Sequence, residues 1–340
     1  MTDCLPVIVC IDVEPDERYT RPGDPRPWTG YLGLDTLLAE WRFRLPGPGA
    51  APAHFTWFLR MDAQVEATYG ASAWGARTYR RQLESALAHG DEVGLHLHAF
   101  RWSASVGWVV EYGDPGWVAR CLRESLATFR GAFGRDCAAF RFGEHWLDDA
   151  ALRVLEDHGI RYDLTLEPGM PGRWPVRRTT RATGVAPDLA AMPEGPYRPS
   201  RSDFRRPDPA RTDGLWIIPV TTGRLPASVA RLRALYRAVT HPRWRHIETL
   251  TLNPGLSPVF FRPLLRRVLA QPERRLLVLP VRSDAGRTRR RRGHVRRNLA
   301  QLLADGKPRR LAVCTPGEAL AALGLEPAGA GPRAGLAGER

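Results

Sequence analysis

Two short segments carry four side chains of the kinds that hold metal ions. Residues 11–14 read Ile-Asp-Val-Glu, and because side chains alternate along an extended strand, Asp12 and Glu14 share a face. Residues 95–98 read Leu-His-Leu-His, which likewise aims His96 and His98 to one side. If both segments are strands ending at one rim of a sheet, two carboxylates and two imidazoles converge there. That donor set suits Zn²⁺ or a similar divalent ion. A His-x-His pair on a strand also occurs as plain structure, and spacing alone does not separate the two readings.

Other strand ends carry charge as well. The segment Phe140-Arg141-Phe142-Gly143-Glu144-His145-Trp146 places an arginine at the end of an apolar run, where it must find an anion, and the Asp12/Glu14 pair is the nearest available. Arg60-Met61-Asp62 ends another run, for which substrate positioning and a plain salt bridge are equally open. Trp28, Trp102, Trp108, Trp117, Trp146 and Trp174 supply flat apolar faces that could stack on sugar rings, although most indoles pack inside proteins.

These residues need a scaffold that brings strand ends together. Apolar runs at 6–12, 54–60, 92–99, 138–142, 162–166, 215–220, 249–253, 276–281 and 311–314 alternate with helix-like stretches at 34–44, 73–88, 117–133, 148–158, 228–239, 258–270, 290–304 and 316–323. About eight strand-helix units in 340 residues favour one closed α/β barrel, with an open doubly wound sheet as the alternative. In a barrel, the functional residues sit at the carboxyl ends of the strands. One domain is expected over 1–325, with 167–213, dense in Pro, Gly and Arg, as an ordered excursion over one barrel end that could shape a substrate groove. Residues 326–340, rich in Gly, Ala and Pro, read as a disordered tail.

Composition narrows the classes further. The formal net charge is +14, but Lys307 is the only lysine, and the arginine surplus accompanies abundant Ala, Gly and Pro as a GC-rich coding bias would produce. The basic run 287–297 opens a predicted helix without interleaved aromatics and reads as a solvated face, so nucleic acid is not an expected partner. The five cysteines are widely spaced, as reduced buried thiols would be. No run is long enough for a membrane span, and the first apolar run lacks a basic leader, so a cytoplasmic protein is expected. Oligomeric state is not legible.

The order of Val7–Glu14, His54–Asp62, Asp91–His98, Phe140–Gly143 and Leu152–Asp163 resembles the polysaccharide deacetylase family with the NodB homology domain. The most specific parts are Glu-Val-Gly-Leu-His at 92–96 and the arginine strand followed by a helix and Gly-Ile-Arg-Tyr-Asp at 159–163. The resemblance runs to about residue 325 and implies a distorted (β/α)7, TIM-like barrel. It also implies a metal held by Asp-His-His, an aspartate base oriented by an arginine, and a late histidine acid. Asp12 falls on the base and Arg141 on the orienting arginine. His96 matches the first metal histidine. Val13 stands at the metal aspartate, making Glu14 the substitute, and Phe100 at the second metal histidine, making His98 the substitute. Arg282 stands where the acid histidine is expected, which leaves His145, in the turn after the arginine strand, as the candidate acid and Arg282 as a group that could stabilise an oxyanion.

The resulting expectation is a metal-dependent hydrolase, with Zn²⁺ as the expected divalent ion, that removes an acetyl group from an N-acetylated sugar or glycan precursor. Asp12, Arg141 and His145 would be catalytic, Glu14, His96 and His98 would hold metal, and Arg60, Asp62, Trp102, Trp146 and Arg282 would face substrate. The alternatives are a degenerate barrel acting as a carbohydrate-binding or scaffold protein, and hydrolysis of a different C–N bond.

Overall fold

A computed structural model describes residues 4–172, 182–240 and 249–326. The first apolar run forms β1 (Leu5–Val13), every residue of which is buried. It is apolar along its whole length because both of its faces are covered, as in parallel sheets flanked by helices. On one edge it pairs in parallel with β12 (Leu277–Arg282), and on the other with β2 (Thr56–Arg60) near its end and β13 (Leu311–Val313) near its start. The sheet continues from β2 through β3 (Glu92–Leu97), β6 (Ala139–Phe142) and β7 (Tyr162–Asp163) to β9 (Trp216–Ile217), all parallel.

Just beyond β9, Thr221 closes the ring. Its N–H donates to the carbonyl of Val278 at 3.0 Å, and its Oγ1 accepts from Val278 N–H at 2.8 Å. Seven strands therefore surround the axis, and the fold is a distorted (β/α)7 barrel. The distortion lies where β7 and β9 shorten to two residues each.

Strand parity sorts the core into two regions. Ile8, Cys10, Phe58, Ala139, Leu164, Ile218 and Val278 form a cluster inside the barrel, whereas Val7, Val9, Ile11, Trp57, Leu95 and Leu279 pack outward with the helices. Continuing the inward set by twos reaches Asp12 and Glu14 on β1 and just past it, Arg60, Arg141 and Arg282, all at the carboxyl ends of the strands. Gly94 and the inward residues two and four further on, His96 and His98, follow the same rule on β3. A Cβ at Gly94 would lie 2.3 Å from the carbonyl of Ala139, so glycine lets β3 approach β6.

The helices surround this ring. They are α1 (Thr29–Arg42), α2 (Ala63–Tyr69), α3 (Trp74–Thr78), α4 (Arg80–Ala88), α5 (Pro115–Phe133), α6 (Asp149–Asp157), α7 (Ala227–Thr240), α8 (Pro258–Leu269), α9 (Arg289–Asp305) and α10 (Pro316–Ala322). Among the described residues, four strands, β4 (Phe100–Ser103), β5 (Gly107–Glu111), β8 (Ala182–Thr183) and β10 (Thr222–Arg224), fall outside the expected runs. β4 and β5 form a hairpin extended by β8, and the expected strand at 249–253 is β11 (Thr249–Thr251), which pairs with β10 outside the barrel. The expected helix at 73–88 is two helices, broken at Tyr79, whose hydroxyl accepts from the Trp28 amide.

Within the 167–213 excursion, Tyr197 bridges to Ile217, while 173–181, including Trp174, lies outside the described residues. The tail expected from 326 on lies outside them too, apart from Glu326, which accepts from Arg161, Tyr162 and Trp216. All five cysteines are free, and among the described residues no helix is long and apolar enough to cross a membrane.

Candidate metal centre and active site

Glu14, His96 and His98 come together at the carboxyl mouth of the barrel, with one ligand atom of each within 4.8 Å of the others. His96 Nε2 lies 3.1 Å from His98 Nε2, which lies 3.4 Å from Glu14 Oε2. Donors about 2.0–2.2 Å from a tetrahedral ion are separated by roughly these distances. All three residues are buried.

The outer contacts orient the donors. His96 Nδ1 lies 3.0 Å from the carbonyl of Arg141, and a carbonyl only accepts, so Nδ1 carries the proton and Nε2 presents its lone pair. His98 Nδ1 is a buried atom with no hydrogen-bond partner among the described residues and faces Glu144 Oε1 at 3.8 Å. If a cation took Nε2, the Nδ1 proton would point toward that carboxylate. The residues present therefore fit a divalent ion. Burial pushes His96 below the ordinary histidine range against the pull of Asp12 and Glu14, and burial and then Arg60 push His98 well below it. Both rings are thus neutral, as ligands must be. Burial works against ionisation of Glu14, but Arg282 and then His98 hold its carboxyl well below the usual range.

Two arginines flank the same carboxylate, one at each oxygen. Arg282 Nε is 2.6 Å from Glu14 Oε1, and Arg60 Nη1 donates to Oε2 at 3.2 Å. Ser283 fixes the backbone of Glu14, accepting from its N–H and donating to its carbonyl.

Arg141 Nε donates to Asp12 Oδ1 at 2.9 Å and Nη1 to the Leu164 carbonyl, so Arg141 finds the anion that its position demanded. The structure revises the substrate-facing set. Asp62 caps α2 through Gln64 N and Val65 N and accepts from Arg60 Nε and His98 N, which occupies both oxygens. Arg60 is fully buried, bonded to Glu14, Asp62 and Gln64, with its guanidinium over Phe100. The pair is a buried salt bridge supporting Glu14 and His98, with no surface left for substrate. Trp146 is buried and stacked on Tyr112 with centroids 4.4 Å apart, a packing role. Trp102 is 45% exposed on the β4–β5 hairpin, edge-on to Trp108.

His145 sits at the edge of the mouth, its side chain 36% exposed, with Nδ1 3.4 Å from Glu167 Oε1. The turn that carries it is unusual, since Glu144 and His145 both have left-handed φ, 56° and 57°. Just before them, a Cβ on Gly143 would fall 2.0 Å from the His98 ring. Four contributors were missed as site residues: Ser283, Glu167, Glu144 and Arg18, which pairs with Glu144. Glu167 directly follows an apolar run and Ser283 stands one residue beyond another, so attention to polar residues at strand ends also reaches them.

No family model matches the chain, and no curated protein does. Solved structures do. An inferred glycoside hydrolase/deacetylase from Parabacteroides distasonis superposes with a TM-score of 0.58 at 15% identity, covering 93% of this chain and 71% of the other. An inferred polysaccharide deacetylase from Mycobacterium smegmatis gives a TM-score of 0.50 at 15% identity over 95% and 92%. At these identities the likeness establishes a shared barrel fold.

Proposed function

We propose that this chain is a metal-dependent hydrolase that removes an acetyl group from an N-acetylated sugar or glycan precursor. The observation that carries the reading is the triangle of Glu14, His96 and His98 beside the Arg141–Asp12 pair, at the end of the barrel where such folds place their chemistry.

A divalent ion, Zn²⁺ by the chemistry of these donors, supplies Lewis acidity toward the amide carbonyl and a water of lowered pKa when bound. Glu14, His96 and His98 would hold it. Asp12, with Oδ1 engaged by Arg141, would receive the proton of the attacking water on its other oxygen. Arg141 acts through Asp12, as a positioning residue. The departing amine needs a proton, and His145, backed by Glu167, is the group at the mouth that could deliver it, since a guanidinium such as that of Arg282 keeps its proton. Arg282 reaches solvent and would face the substrate or its developing negative charge, and Trp102 offers an exposed indole on the hairpin that follows β3.

The test is acetate release from N-acetylated sugars, measured with metal content. Zn²⁺-dependent release that Asp12→Asn abolishes while metal stays bound supports the proposal. Release unaffected by that change removes Asp12 from the reaction. A second reading, a binding barrel without chemistry, is favoured by the two arginines that already pair with Glu14. Sugar binding with neither metal nor turnover would support it.

A further inference from the structure

Glu14 is the meeting point of two different arginines, and their freedom differs. Arg60 is wholly enclosed. Its Nε bonds Asp62 at 2.7 Å, its Nη2 bonds Gln64 at 2.5 Å and its Nη1 bonds Glu14 at 3.2 Å, so it cannot leave without stranding a buried charge. Arg282 is differently placed. It lies beside Asp12 in the β1–β12 register and reaches Glu14 Oε1 at 2.6 Å. Its other contacts are long, 3.9 Å to Asp284 and 3.4 Å to the Pro15 carbonyl, and 27% of its side chain is open to solvent. One guanidinium is part of the frame, and the other can swing outward.

We infer that Arg282 is a displaceable internal cation that competes with a divalent metal ion for Glu14 and thereby sets how tightly the site holds metal. This rests on the metal-centre reading of Glu14, His96 and His98. The physical basis is charge. A metal ion bound at Glu14 sits beside the positive charge of Arg282 unless that side chain moves away, and in a buried site the repulsion is only weakly screened. Arg282 holds Oε1 while the oxygen nearest the imidazoles is Oε2, so the contest is one of charge: an ion at Oε2 is stabilised when the guanidinium swings away from Glu14. Removing the charge removes that obstacle, whereas moving it onto a lysine retains it.

The experiment is a Zn²⁺ titration, using the metal alone with a competing chelator dye, of the wild type, Arg282→Gln, Arg282→Lys and His96→Ala. The expected result is a gain in affinity of at least about tenfold for Arg282→Gln, with Arg282→Lys staying near wild type and His96→Ala losing binding. An unchanged or weakened Arg282→Gln affinity in a metal-binding protein overturns the inference and leaves the metal centre standing. So does an equal gain in the glutamine and lysine variants, because it would mean that bulk matters and charge does not. Absence of binding in every variant overturns the metal centre itself, and the inference with it.

A measurement on the wild type needs no variant to fold. Phenylglyoxal modification, mapped by mass spectrometry, should reach Arg282 faster in Zn²⁺-saturated protein than in protein treated with chelator. An equal or slower rate with metal contradicts displacement.

Discussion

His96 and His98 bring their Nε2 atoms to 3.1 Å with the two imidazole planes at 90° to each other. In a metal-free protein one ring must donate to the other, and because His96 Nδ1 already holds that ring's proton, the donor is His98. That choice leaves a bare lone pair on His98 Nδ1 beside the carboxylate of Glu144, a poor match. A cation held between the rings reverses it. Alanine at either histidine should weaken Zn²⁺ binding by more than about 100-fold, beyond the effect usual for outer-layer partners. Glu144→Gln, which alters only the outer layer, should weaken it by about tenfold. Metal titration reads both.

Gly143 is the contact surface of His98. Because an added Cβ would fall within 2.0–2.4 Å of three ring atoms, Gly143→Ala must push the ring or the 143–145 turn aside. The expected cost in stability is about 1–3 kcal/mol, with loss of metal affinity far larger than that loss of stability would suggest. Thermal unfolding and metal titration on the same preparation separate the two effects.

Asp91 anchors the start of β3 from below. It takes both Arg42 nitrogens at 2.6 Å, the Phe55 amide at 2.8 Å and the Trp57 indole at 2.7 Å, all buried. Asp91→Ala strands the Arg42 charge and two further donors. Chemical denaturation should show a loss of about 3–5 kcal/mol. A change below about 1 kcal/mol would mean that Arg42 escapes to solvent.

Asp163 gives the fold a pH dependence of known sign. Burial pushes its carboxyl up to about 6, against the hydrogen bonds from Thr165 that pull it down. A carboxyl whose pKa is raised by folding favours the folded state while protonated. That contribution is present at pH 4 and is lost as pH rises through about 6. Asparagine keeps an acceptor for the Thr165 amide and never ionises. Asp163→Asn should therefore raise the melting temperature relative to wild type at pH 7.5, by no more than about 3 kcal/mol in stability, and the advantage should shrink or reverse at pH 4.5. Equal differences at the two pH values would show that Asp163 is not the titrating group.

Much of this arrangement is visible in the residues because a barrel strand alternates strictly. Ile8, Cys10 and Asp12 lie on one face by parity alone, and so do His96 and His98, so the convergence of acids and imidazoles needs only the assumption of parallel strands ending at one rim. Arg141 is equally legible, since a guanidinium at the end of an apolar run has few partners within reach. The hairpin of β4 and β5 escaped notice because residues 100–111 have no clear boundary with the strand before them, and the second half of the pair is defined by its partner. The fate of Arg60 and Asp62 depends on Gln64, His98 and Glu14 at once, a network that neighbours in the chain do not reveal. The clamp of Arg282 on Glu14 joins residues from opposite ends of the chain, and only the closure of β12 against β1 brings them together.

X-ray absorption spectroscopy of the Zn²⁺-loaded protein examines the centre most directly. The expected spectrum has nitrogen and oxygen neighbours at about 2.0–2.2 Å with the outer-shell scattering of two imidazoles, reduced to one in His98→Ala. A first shell without imidazole scattering, or a spectrum identical in wild type and His98→Ala, would contradict a metal held by Glu14, His96 and His98.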